Sequence, residues 1–442
     1  MRSYAAAVDR LRQEYAALPR DAPVRLGKKT SNLFRSRTDT GAPRLDVSSF
    51  TGVLSIDVQA RTADVLGMTT YEELVDATLP HGLIPLVVPQ LKTITLGGAV
   101  TGLGIESSSF RSGMPHESVL EMDVLTGDGR VVTCSATQHA DLFTGIPNSY
   151  GTLGYALRLR IELEPTRRYV ALRHVRCGSA AEAVTALRSA CEQADFVDGT
   201  WFSPTEIYVT EGTWADTAPH VSDYAGRDIY YRSVQARETD ALTVRDYLWR
   251  WDTDWFWCSR AFGVQNLSIR RWIPRRYLRS DVYWKLVAFE RQHRWKTRWD
   301  RRRGRPEREE VVQDVEVAIE RLPEFLDAFH REVPIEPLWL CPLRPRAQGW
   351  ELYQLDPATL YVNIGFWSSV PLRQGQQPDA HNRFVEQLVD DLGGRKSLYS
   401  TAFYAEEHFW RLYNGPVYDI LKKTYDPDGR LLDLYDKCVR GR

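Results

Sequence analysis

A segment rich in glycine and hydroxyl side chains, residues 95–109, is the first candidate for chemistry in this sequence. It reads TLGGAVTGLGIESSS and carries four glycines. Glycine lets backbone amides approach a phosphate closely and adopt a positive φ, and successive amides with Thr and Ser hydroxyls bind pyrophosphate without a lysine. The same composition fits a glycine-rich turn between two strands. The segment therefore predicts a dinucleotide site only where its surroundings support one.

Two well-known nucleotide motifs do not match this segment. A P-loop is excluded because no Gly-Lys-Ser/Thr follows the glycines. A Rossmann fingerprint fits poorly because Gly102 and Gly104 lack a third glycine, and because the segment begins about a hundred residues into the chain. The spacing alone leaves the kind of dinucleotide open.

Four carboxylates are candidates for a proton donor because their neighbours predict burial. Asp252 and Asp254 lie among tryptophans in WRWDTDWFW. Asp314 and Glu316 alternate with apolar residues in VVQDVEV, so both would face one side of a strand. Burial raises the pKa of a carboxyl and keeps it protonated at neutral pH, as general acid catalysis requires; a salt bridge to an arginine is the alternative for each. Further donors are the hydroxyls of Tyr150, Tyr361 and Tyr399.

The tract from 246 to 308 has a composition unlike the rest of the chain. It holds eight of the 14 tryptophans, and its stretch from 270 to 308 carries 15 Lys or Arg against four acidic residues. Interleaved aromatic and basic residues are typical of single-stranded nucleic-acid sites, but nothing else in the sequence supports that function. They are also typical of a membrane interface. A purely structural explanation, a salt-bridged helical region with Trp in its core, accounts for the tract equally well. We expect no nucleic-acid partner and keep a membrane surface as a candidate partner.

The overall composition is that of an ordinary soluble globular protein. The 442 residues are 43% hydrophobic and 26% charged, with a net charge of -1, so charge gives no support to nucleic-acid binding. The six cysteines lie far apart without a CxxC pair, which disfavours metal and disulfide sites and favours a reducing cytosol. Neither a signal-peptide core nor an apolar run of transmembrane length is present. The sequence predicts a cytoplasmic protein, peripheral on the inner face of the cell membrane if the tract 246–308 binds lipid.

Short β-rich runs separated by Gly and Pro dominate residues 24–165, and the pattern changes near 167. Alternating polarity and Gly-Asp-Gly turn chemistry predict strands, whereas helical spacing with capping residues predicts helices. The predicted strand regions are 53–67 (two strands around a turn), 83–89, 118–135 (a hairpin turning at 127–129), 155–165, 311–319 and 359–370. The predicted helices are 3–18, 69–82, 181–194 and 321–332, with more helix at the C-terminal end.

Several stretches, in the same order, resemble the vanillyl-alcohol oxidase superfamily of PCMH-type FAD-binding oxidoreductases. The first two are PQLKTITLGGAVTGLGIESSSFRSGMPHESV and DLFTGIPNSYGTLGYALRLRIELEP. Within that superfamily the chain resembles the 24-dehydrocholesterol reductases, through VVQDVEVAI, IEPLWLCPLR and EEHFWRLYNGPVYDILKK. A narrower resemblance, in KTSNLFR, WRWDTDWFWCSRAFG and KKTYDP, is to the actinobacterial 10-methylene fatty acyl reductases of tuberculostearic acid (10-methylstearate) biosynthesis.

This resemblance implies an α+β fold. It would consist of a vanillyl-alcohol oxidase-type FAD-binding domain and a substrate (cap) domain with an antiparallel sheet. The implied limits are 1–166 for the FAD-binding domain, 167–395 for the substrate domain, and 396–442 for C-terminal helices that return to the FAD domain.

The resemblance also implies which residues hold FAD. The glycine-rich segment would line the pyrophosphate and flavin, an early loop would hold the diphosphate from the other side, and a later loop would close over the adenine or ribitol. The implied cofactor-binding residues are Lys29, Thr30, Ser31, Asn32, Pro89, Thr95, Leu96, Gly97, Gly98, Thr101, Gly102, Gly104, Ile105, Glu106, Ser107, Gly151, Gly154, Ile161, Lys422 and Tyr425. Relatives with covalent FAD use a histidine in the early loop, and this chain has none before His81, so non-covalent FAD is predicted.

The implied activity is FAD-dependent reduction of an isolated lipid alkene. The substrate would be a 10-methylene fatty acyl chain on a phospholipid, the electron donor NADPH, and a pathway partner the methyltransferase that makes the methylene group. An isolated alkene has no carbonyl to stabilise a carbanion, so protonation to a tertiary cation would precede hydride transfer from flavin N5. Alternatives are a sterol-like side-chain alkene reductase, an FAD-dependent alcohol or sugar oxidase or dehydrogenase, and a flavin-bound scaffold without turnover.

Overall fold

The fold is taken from a computed structural model of the chain. The structure describes residues 2–20, 22–28, 34–35, 41–225, 228–293, 299 and 302–441. Four of the residues expected to hold the cofactor, Lys29, Thr30, Ser31 and Asn32, lie outside the described residues.

The N-terminal part contains a parallel two-stranded pair and a six-stranded antiparallel sheet. The larger sheet has the order β3-β4-β8-β6-β7, with β5 paired to β8. The strands are β1 (Arg25–Leu26), β2 (Arg44–Leu45), β3 (Val53–Asp57), β4 (Thr62–Leu66), β5 (Leu83–Pro85), β6 (Val119–Leu125), β7 (Val131–Ser135) and β8 (Tyr155–Pro165).

An eight-stranded antiparallel sheet follows, in the order β12-β9-β11-β10-β14-β15-β13-β16. Its strands are β9 (Tyr169–Cys177), β10 (Phe196–Ser203), β11 (Glu206–Ala215), β12 (Thr239–Thr243), β13 (Arg308–Ala318), β14 (Leu338–Leu343), β15 (Tyr361–Pro371) and β16 (Arg395–Lys396). The two large sheets and the helices packed on them confirm the predicted α+β class.

Helices of very different length connect and cover these sheets. The α-helices of the described chain are Arg2–Ala17, Tyr71–Thr78, Leu96–Gly102, Ser109–Ser112, Ala140–Gly145, Ala180–Gln193, Tyr230–Ala236, Val244–Leu248, Leu267–Arg270, Ser280–His293, Leu322–Glu332, Ala380–Asp391, Glu406–Leu412, Gly415–Tyr425 and Leu434–Cys438. Single 3₁₀ turns are Leu79–His81, Pro115–Ser118, Asp252–Asp254, Cys258–Phe262, Arg275–Tyr277 and Ile319–Arg321.

Local sequence signals set several of these bounds. Thr70 begins the helix Tyr71–Thr78 with a capping box, in which its Oγ1 accepts the Glu73 amide and its own amide donates to the Glu73 carboxylate at 2.8 Å. The run 83–89, predicted as a strand, pairs only over Leu83–Pro85. Proline has no amide hydrogen to donate to a ladder, so Pro85 and Pro89 limit the pairing that this run can make.

The two large sheets share one hydrophobic core. Val65 and Leu159 of the first sheet belong to the same buried cluster as Leu172 and Trp339 of the second. Since burial of apolar surface is the main stabilising term, this shared core fixes the two sheets relative to each other. Within the described chain, no helix has the length and apolar character needed to cross a bilayer.

Candidate active site

The glycine-rich segment forms the short helix Leu96–Gly102, not a turn between strands. Thr95 caps it, since its Oγ1 accepts the Gly98 amide at 3.2 Å. The Gly97 amide donates to the Gly67 carbonyl at 2.9 Å, directly after β4. A Cβ on residue 97 would lie only 2.8 Å from that carbonyl oxygen. Glycine at this position therefore lets the helix pack closely on the first sheet.

After this helix the backbone turns sharply and offers unused donors. Leu103 has a φ of 145°, an unusual value for a residue with a side chain. The amides of Gly104 and Ile105, which are half-buried, donate to no acceptor in the part of the chain that the structure describes. Gly104 lies between Pro89 and Pro115, where a Cβ would approach the proline rings to 3.3 and 3.0 Å. Consecutive amides without acceptors fit a pyrophosphate group, so this turn is suited to FAD.

Glu106 and Ser107 connect the segment to the second sheet. The Ser107 carbonyl accepts the amide of Val197 in β10 at 2.7 Å. The Ser107 amide and hydroxyl both donate to the Glu106 carboxylate at 2.9 Å, while Oε1 of Glu106 has no partner among the described residues. Burial raises the pKa of Glu106 to about 7, although the Arg250 guanidinium nearby lowers it in part. Glu106 thus positions the loop and retains one oxygen for a further hydrogen bond.

Tyr150 packs against the same helix from the loop that carries Gly151 and Gly154. Its amide donates to the Thr101 carbonyl at 2.8 Å, and its ring occupies the space beside Gly102. Its buried hydroxyl has no partner in the described structure. Gly151 has a φ of 76°, and a Cβ on Gly154 would lie 2.5 Å from Val124, so both positions need glycine.

Asp314 lies on β13 beside this tyrosine. In the register of the sheet it is opposite Gly365 of β15, where a Cβ would collide with the Asp314 carboxyl. Burial raises the pKa of Asp314 to about 7, and the neighbouring side chains of Asn363 and Tyr399 lower it only in part. Its Oδ1 is buried and has no hydrogen-bond partner in the described chain. This carboxyl is therefore largely available as a proton donor near neutral pH.

Glu316 lies two residues further along the same strand and is more tightly held. The Tyr353 hydroxyl donates to Oε2, and the Ser397 hydroxyl donates to Oε1 at 3.2 Å. Burial raises the pKa of Glu316 to about 8, and the charge of Asp314 raises it further. Like charges in one buried site favour protonation of at least one of them. The alternation of polar and apolar residues predicted that Asp314 and Glu316 face one side of a strand. In the structure they lie close enough for the charge of one to raise the pKa of the other.

Asp252 and Asp254 have other partners. Asp254 accepts two hydrogen bonds from the Arg270 guanidinium at 2.7 and 2.9 Å, with both side chains buried. This is the salt bridge that stood as the alternative to a catalytic role. Asp252 accepts the Lys92 amide at 3.1 Å and the Ser280 hydroxyl at 2.6 Å, and burial raises its pKa. Both carboxylates hold the loops of 252–280 in place.

Three of the residues expected to touch FAD have protein partners. Lys422 donates to the carbonyls of Thr152 and Leu431 at 2.8 and 2.7 Å. Tyr425 donates to the Asp141 carboxylate at 3.0 Å. Ile161 is completely buried within β8 in the hydrophobic core. Lys422 accordingly ties the C-terminal helix to the loop around Gly151, while the contacts of all three with FAD stay predictions.

An aromatic cluster lies around Tyr399, whose side chain neighbours Asp314. Phe34 contacts Tyr399 and Trp284, with ring centres 5.5 and 5.8 Å apart. Trp367 donates its indole N–H to the Tyr399 hydroxyl at 2.9 Å and stacks on Phe256 at 4.2 Å. Aromatic side chains next to a carboxyl with a raised pKa suit an apolar substrate.

Several residues of this site had no sequence signal of their own. Tyr353 comes from a loop 37 residues after Glu316, and Gly365 matters only because of the strand register. The Arg35 guanidinium lies 4.4 Å above the Tyr150 ring, which no local pattern indicates. Knowledge of the β13–β15 pairing would have found Gly365 and Asn363; nothing in the sequence would have found Tyr353.

Comparisons with known proteins agree with the geometry of the glycine-rich turn. A family model described as an FAD binding domain matches residues 12–135, the range that contains this turn. Over a quarter of its length, the chain is also 36% identical to cytokinin dehydrogenase 2 of rice, of which the alignment covers 20%. The protein is an FAD-dependent oxidoreductase.

The longer relatives extend this relationship beyond the FAD-binding domain. The chain is 26% identical to the Δ24-sterol reductase of rat, over 88% of this chain and 76% of that protein. It is also 26% identical to the Δ24-sterol reductase homolog of Caenorhabditis elegans, over 91% of this chain and 80% of that protein. The similarity therefore includes the second sheet, with Asp314 and Glu316, as well as the FAD-binding part.

Proposed function

We propose that this protein is an FAD-dependent reductase of an isolated lipid alkene, and that it converts a 10-methylene fatty acyl chain on a phospholipid to the 10-methyl form with NADPH as electron donor. The observation that carries the proposal is the Asp314–Glu316 pair, two carboxyls with raised pKa values on one face of β13, next to the aromatic cluster around Tyr399. Burial, with the charges of this pair, raises the pKa of Tyr150, whose amide donates to the Thr101 carbonyl in the helix before the turn at Gly104 and Ile105. The similarity to Δ24-sterol reductases supports alkene reduction as the reaction class.

The first chemical requirement is a proton for an unactivated double bond. Asp314 meets it best, because its pKa is raised to about 7 and its Oδ1 has no hydrogen-bond partner in the described structure. Asp252 also has a raised pKa, but the Lys92 ammonium lies 4.0 Å from it and favours its charged form. The proton goes to the exocyclic CH2 carbon, which leaves the positive charge on the more substituted carbon. Glu316 lies beside Asp314 but is held by Tyr353 and Ser397, so we assign it a positioning role.

The second requirement is to protect the cationic carbon until it is reduced. The aromatic cluster of Phe34, Trp367 and Tyr399 presents ring faces, which stabilise a nearby positive charge. When bound and reduced, FAD would supply the hydride from N5. The turn at Gly104 and Ile105 and the free oxygen of Glu106 are the groups that would hold the cofactor in this chain.

The substrate and donor follow from the narrower resemblance of the sequence. A methylene branch on a fatty acyl chain is built by methyl transfer to a double bond, so a methyltransferase is the proposed pathway partner. A sterol side-chain alkene requires the same order of proton and hydride, and it is the main competitor as substrate.

Anaerobic flavin spectroscopy tests this proposal. We expect NADPH to bleach the flavin absorbance faster than NADH does, and a 10-methylene phospholipid to restore it with formation of the 10-methyl product. The saturated unbranched phospholipid is the matched control and should leave the flavin reduced. Restoration by a sterol alkene alone would support the competing substrate, and bleaching by an alcohol or sugar would indicate an oxidase or dehydrogenase instead.

A further inference from the structure

The tract rich in tryptophan and arginine divides into two parts in the structure. In its first part Trp249, Trp251, Trp255 and Trp257 are buried in the core shared by the two sheets. In its second part Leu278 and Tyr283 are buried, but several other large apolar side chains are exposed. The first part thus follows the expectation of a core region, and the second needs another explanation.

We define the exposed apolar surface by six residues between 267 and 289. They come from the helix Leu267–Arg270, the turn after it, and the helix Ser280–His293. Trp272 is 75% exposed and Leu267 is 63% exposed. The members of the surface are Leu267, Ile269, Trp272, Tyr277, Leu286 and Phe289. Large apolar side chains concentrated in one exposed segment mark an interaction site.

The segment is rich in basic residues, although Arg270, Arg275, Arg279 and Lys285 form ion pairs with described carboxylates. Residues 267–293 carry seven Lys or Arg against two acidic residues. The guanidinium of Arg271 lies 5.3 Å from the ring centre of Trp272, and that of Arg276 lies 5.0 Å from that of Tyr277. Neither arginine forms an ion pair with a described carboxylate. Aromatic rings beside cations are typical of the headgroup region of a membrane, where anionic phosphates provide the opposite charge.

The same helix also reaches the candidate active site. On one face the helix Ser280–His293 exposes Leu286 and Phe289. Its Trp284 contacts Phe34 and Trp255, with ring centres 5.8 and 6.0 Å apart, and Phe34 in turn contacts Tyr399. The helix Ser280–His293 therefore carries part of the exposed apolar surface and also contacts the aromatic cluster next to Asp314.

We propose that the exposed apolar surface inserts into a membrane containing anionic phospholipid, and that an acyl chain passes the helix Ser280–His293 to reach the aromatic cluster next to Asp314. The delivery of substrate rests on the proposed function, whereas membrane binding does not. The occupant is a lipid surface because apolar and cationic groups alternate there, as an interfacial segment requires.

Vesicle flotation without any lipid alkene tests the binding step. Wild-type protein should float with vesicles that contain phosphatidylglycerol and much less with pure phosphatidylcholine. The double variant Leu267→Ala/Trp272→Ala should lower the partition coefficient about tenfold or more, since two inserted apolar side chains are lost. The double variant Arg271→Glu/Arg276→Glu should lower it at least about tenfold on anionic vesicles only. The matched control is Ile420→Ala, which truncates a side chain that is 64% exposed elsewhere and should float like wild type.

The outcomes separate the two proposals. Wild-type protein that fails to float with anionic vesicles, or that binds single-stranded nucleic acid instead, would overturn the membrane surface. An equally large fall in the partition coefficient of Ile420→Ala would also overturn the membrane surface. If wild-type protein floats with anionic vesicles but no alkene reoxidises the reduced flavin, the membrane surface is supported and the proposed function is wrong. The delivery route is tested by comparing wild type with Leu267→Ala/Trp272→Ala on two forms of substrate. It is supported if both proteins reduce detergent-solubilised substrate at the same rate but only wild type reduces vesicle-borne substrate.

Discussion

At the scale of single residues, Asp314 and Asp252 both have a raised pKa and a carboxylate oxygen without a hydrogen bond among the described residues. Asp252 lies 4.0 Å from the Lys92 ammonium, whereas Asp314 forms no ion pair with a described residue. We expect Asp314→Asn to lower the rate of alkene reduction by about 10²- to 10⁴-fold, the usual contribution of a general acid. The amide retains the shape of the side chain but cannot supply the proton. The rate of flavin reoxidation by the methylene phospholipid in a single turnover measures the effect, at unchanged FAD content.

The pH profile separates proton donation from a structural effect of this substitution. The acid form of Asp314 is the active one, and its pKa is raised to about 7. The wild-type rate should therefore fall as the pH rises through about 7. A rate for Asp314→Asn that equals the wild-type rate at every pH would rule out Asp314 as the donor and leave Glu316 as the next candidate.

For Asp254, substitution by Asn should lower the unfolding free energy and leave turnover unchanged, the opposite of what we expect for Asp314. Its partner Arg270 is buried, so Asp254→Asn leaves a guanidinium without its counter-charge. Loss of one member of a buried pair costs about 3–5 kcal/mol of unfolding free energy. We expect urea denaturation to show this loss, while turnover per bound FAD stays near the wild-type value. A large loss of turnover in folded, FAD-loaded Asp254→Asn would instead place this carboxylate in the reaction.

At the scale of elements, the helix Leu96–Gly102 depends on close approach to the first sheet. Gly97→Ala places a Cβ 2.8 Å from the Gly67 carbonyl oxygen, so the helix must move outward. Such overpacking costs about 1–3 kcal/mol, and the displaced turn should bind FAD more weakly. The FAD dissociation constant and the unfolding free energy measure both effects.

Gly178→Ala is the matched control for this substitution. A Cβ there lies 3.6 Å from the nearest atom, the Glu182 carboxylate, which is an ordinary contact. This variant should bind FAD and unfold as wild type does. Equal FAD affinity in Gly97→Ala and Gly178→Ala would show that the helix does not position the cofactor.

Local pattern predicted the elements well where a single period or cap decided them. The alternation in β8 and β13, the Gly-Asp-Gly hairpin and the Thr70 cap all gave elements close to those observed. The run 83–89 was predicted too long because its apolar residues outweighed its prolines. The partners of Asp314 could not be predicted, since they depend on which strand lies beside β13. That choice is made by packing between distant segments, not by local sequence.

At the scale of the whole molecule, the glycine-rich segment and the loop around Gly151 are hydrogen-bonded to the second sheet and to the C-terminal helix. Ser107 bonds to β10, and Ser109 accepts the Arg344 amide at 3.2 Å. From the C-terminal end, Lys422 bonds to the Thr152 carbonyl at 2.8 Å. A ligand that orders the turn therefore stabilises both sheets and the C-terminal helix together.

These hydrogen bonds lead to a prediction for the stability of the protein with and without bound FAD. FAD at a hundredfold excess over its dissociation constant should add about 2.7 kcal/mol to the unfolding free energy, so Tm should rise in one cooperative transition. Because no histidine precedes His81, the flavin is predicted to be non-covalent, and acid precipitation should release all of it into the supernatant. Flavin that stays with the precipitated protein would contradict non-covalent binding. A rise of Tm for only part of a two-step transition would show that the two sheets unfold independently, despite the core that they share.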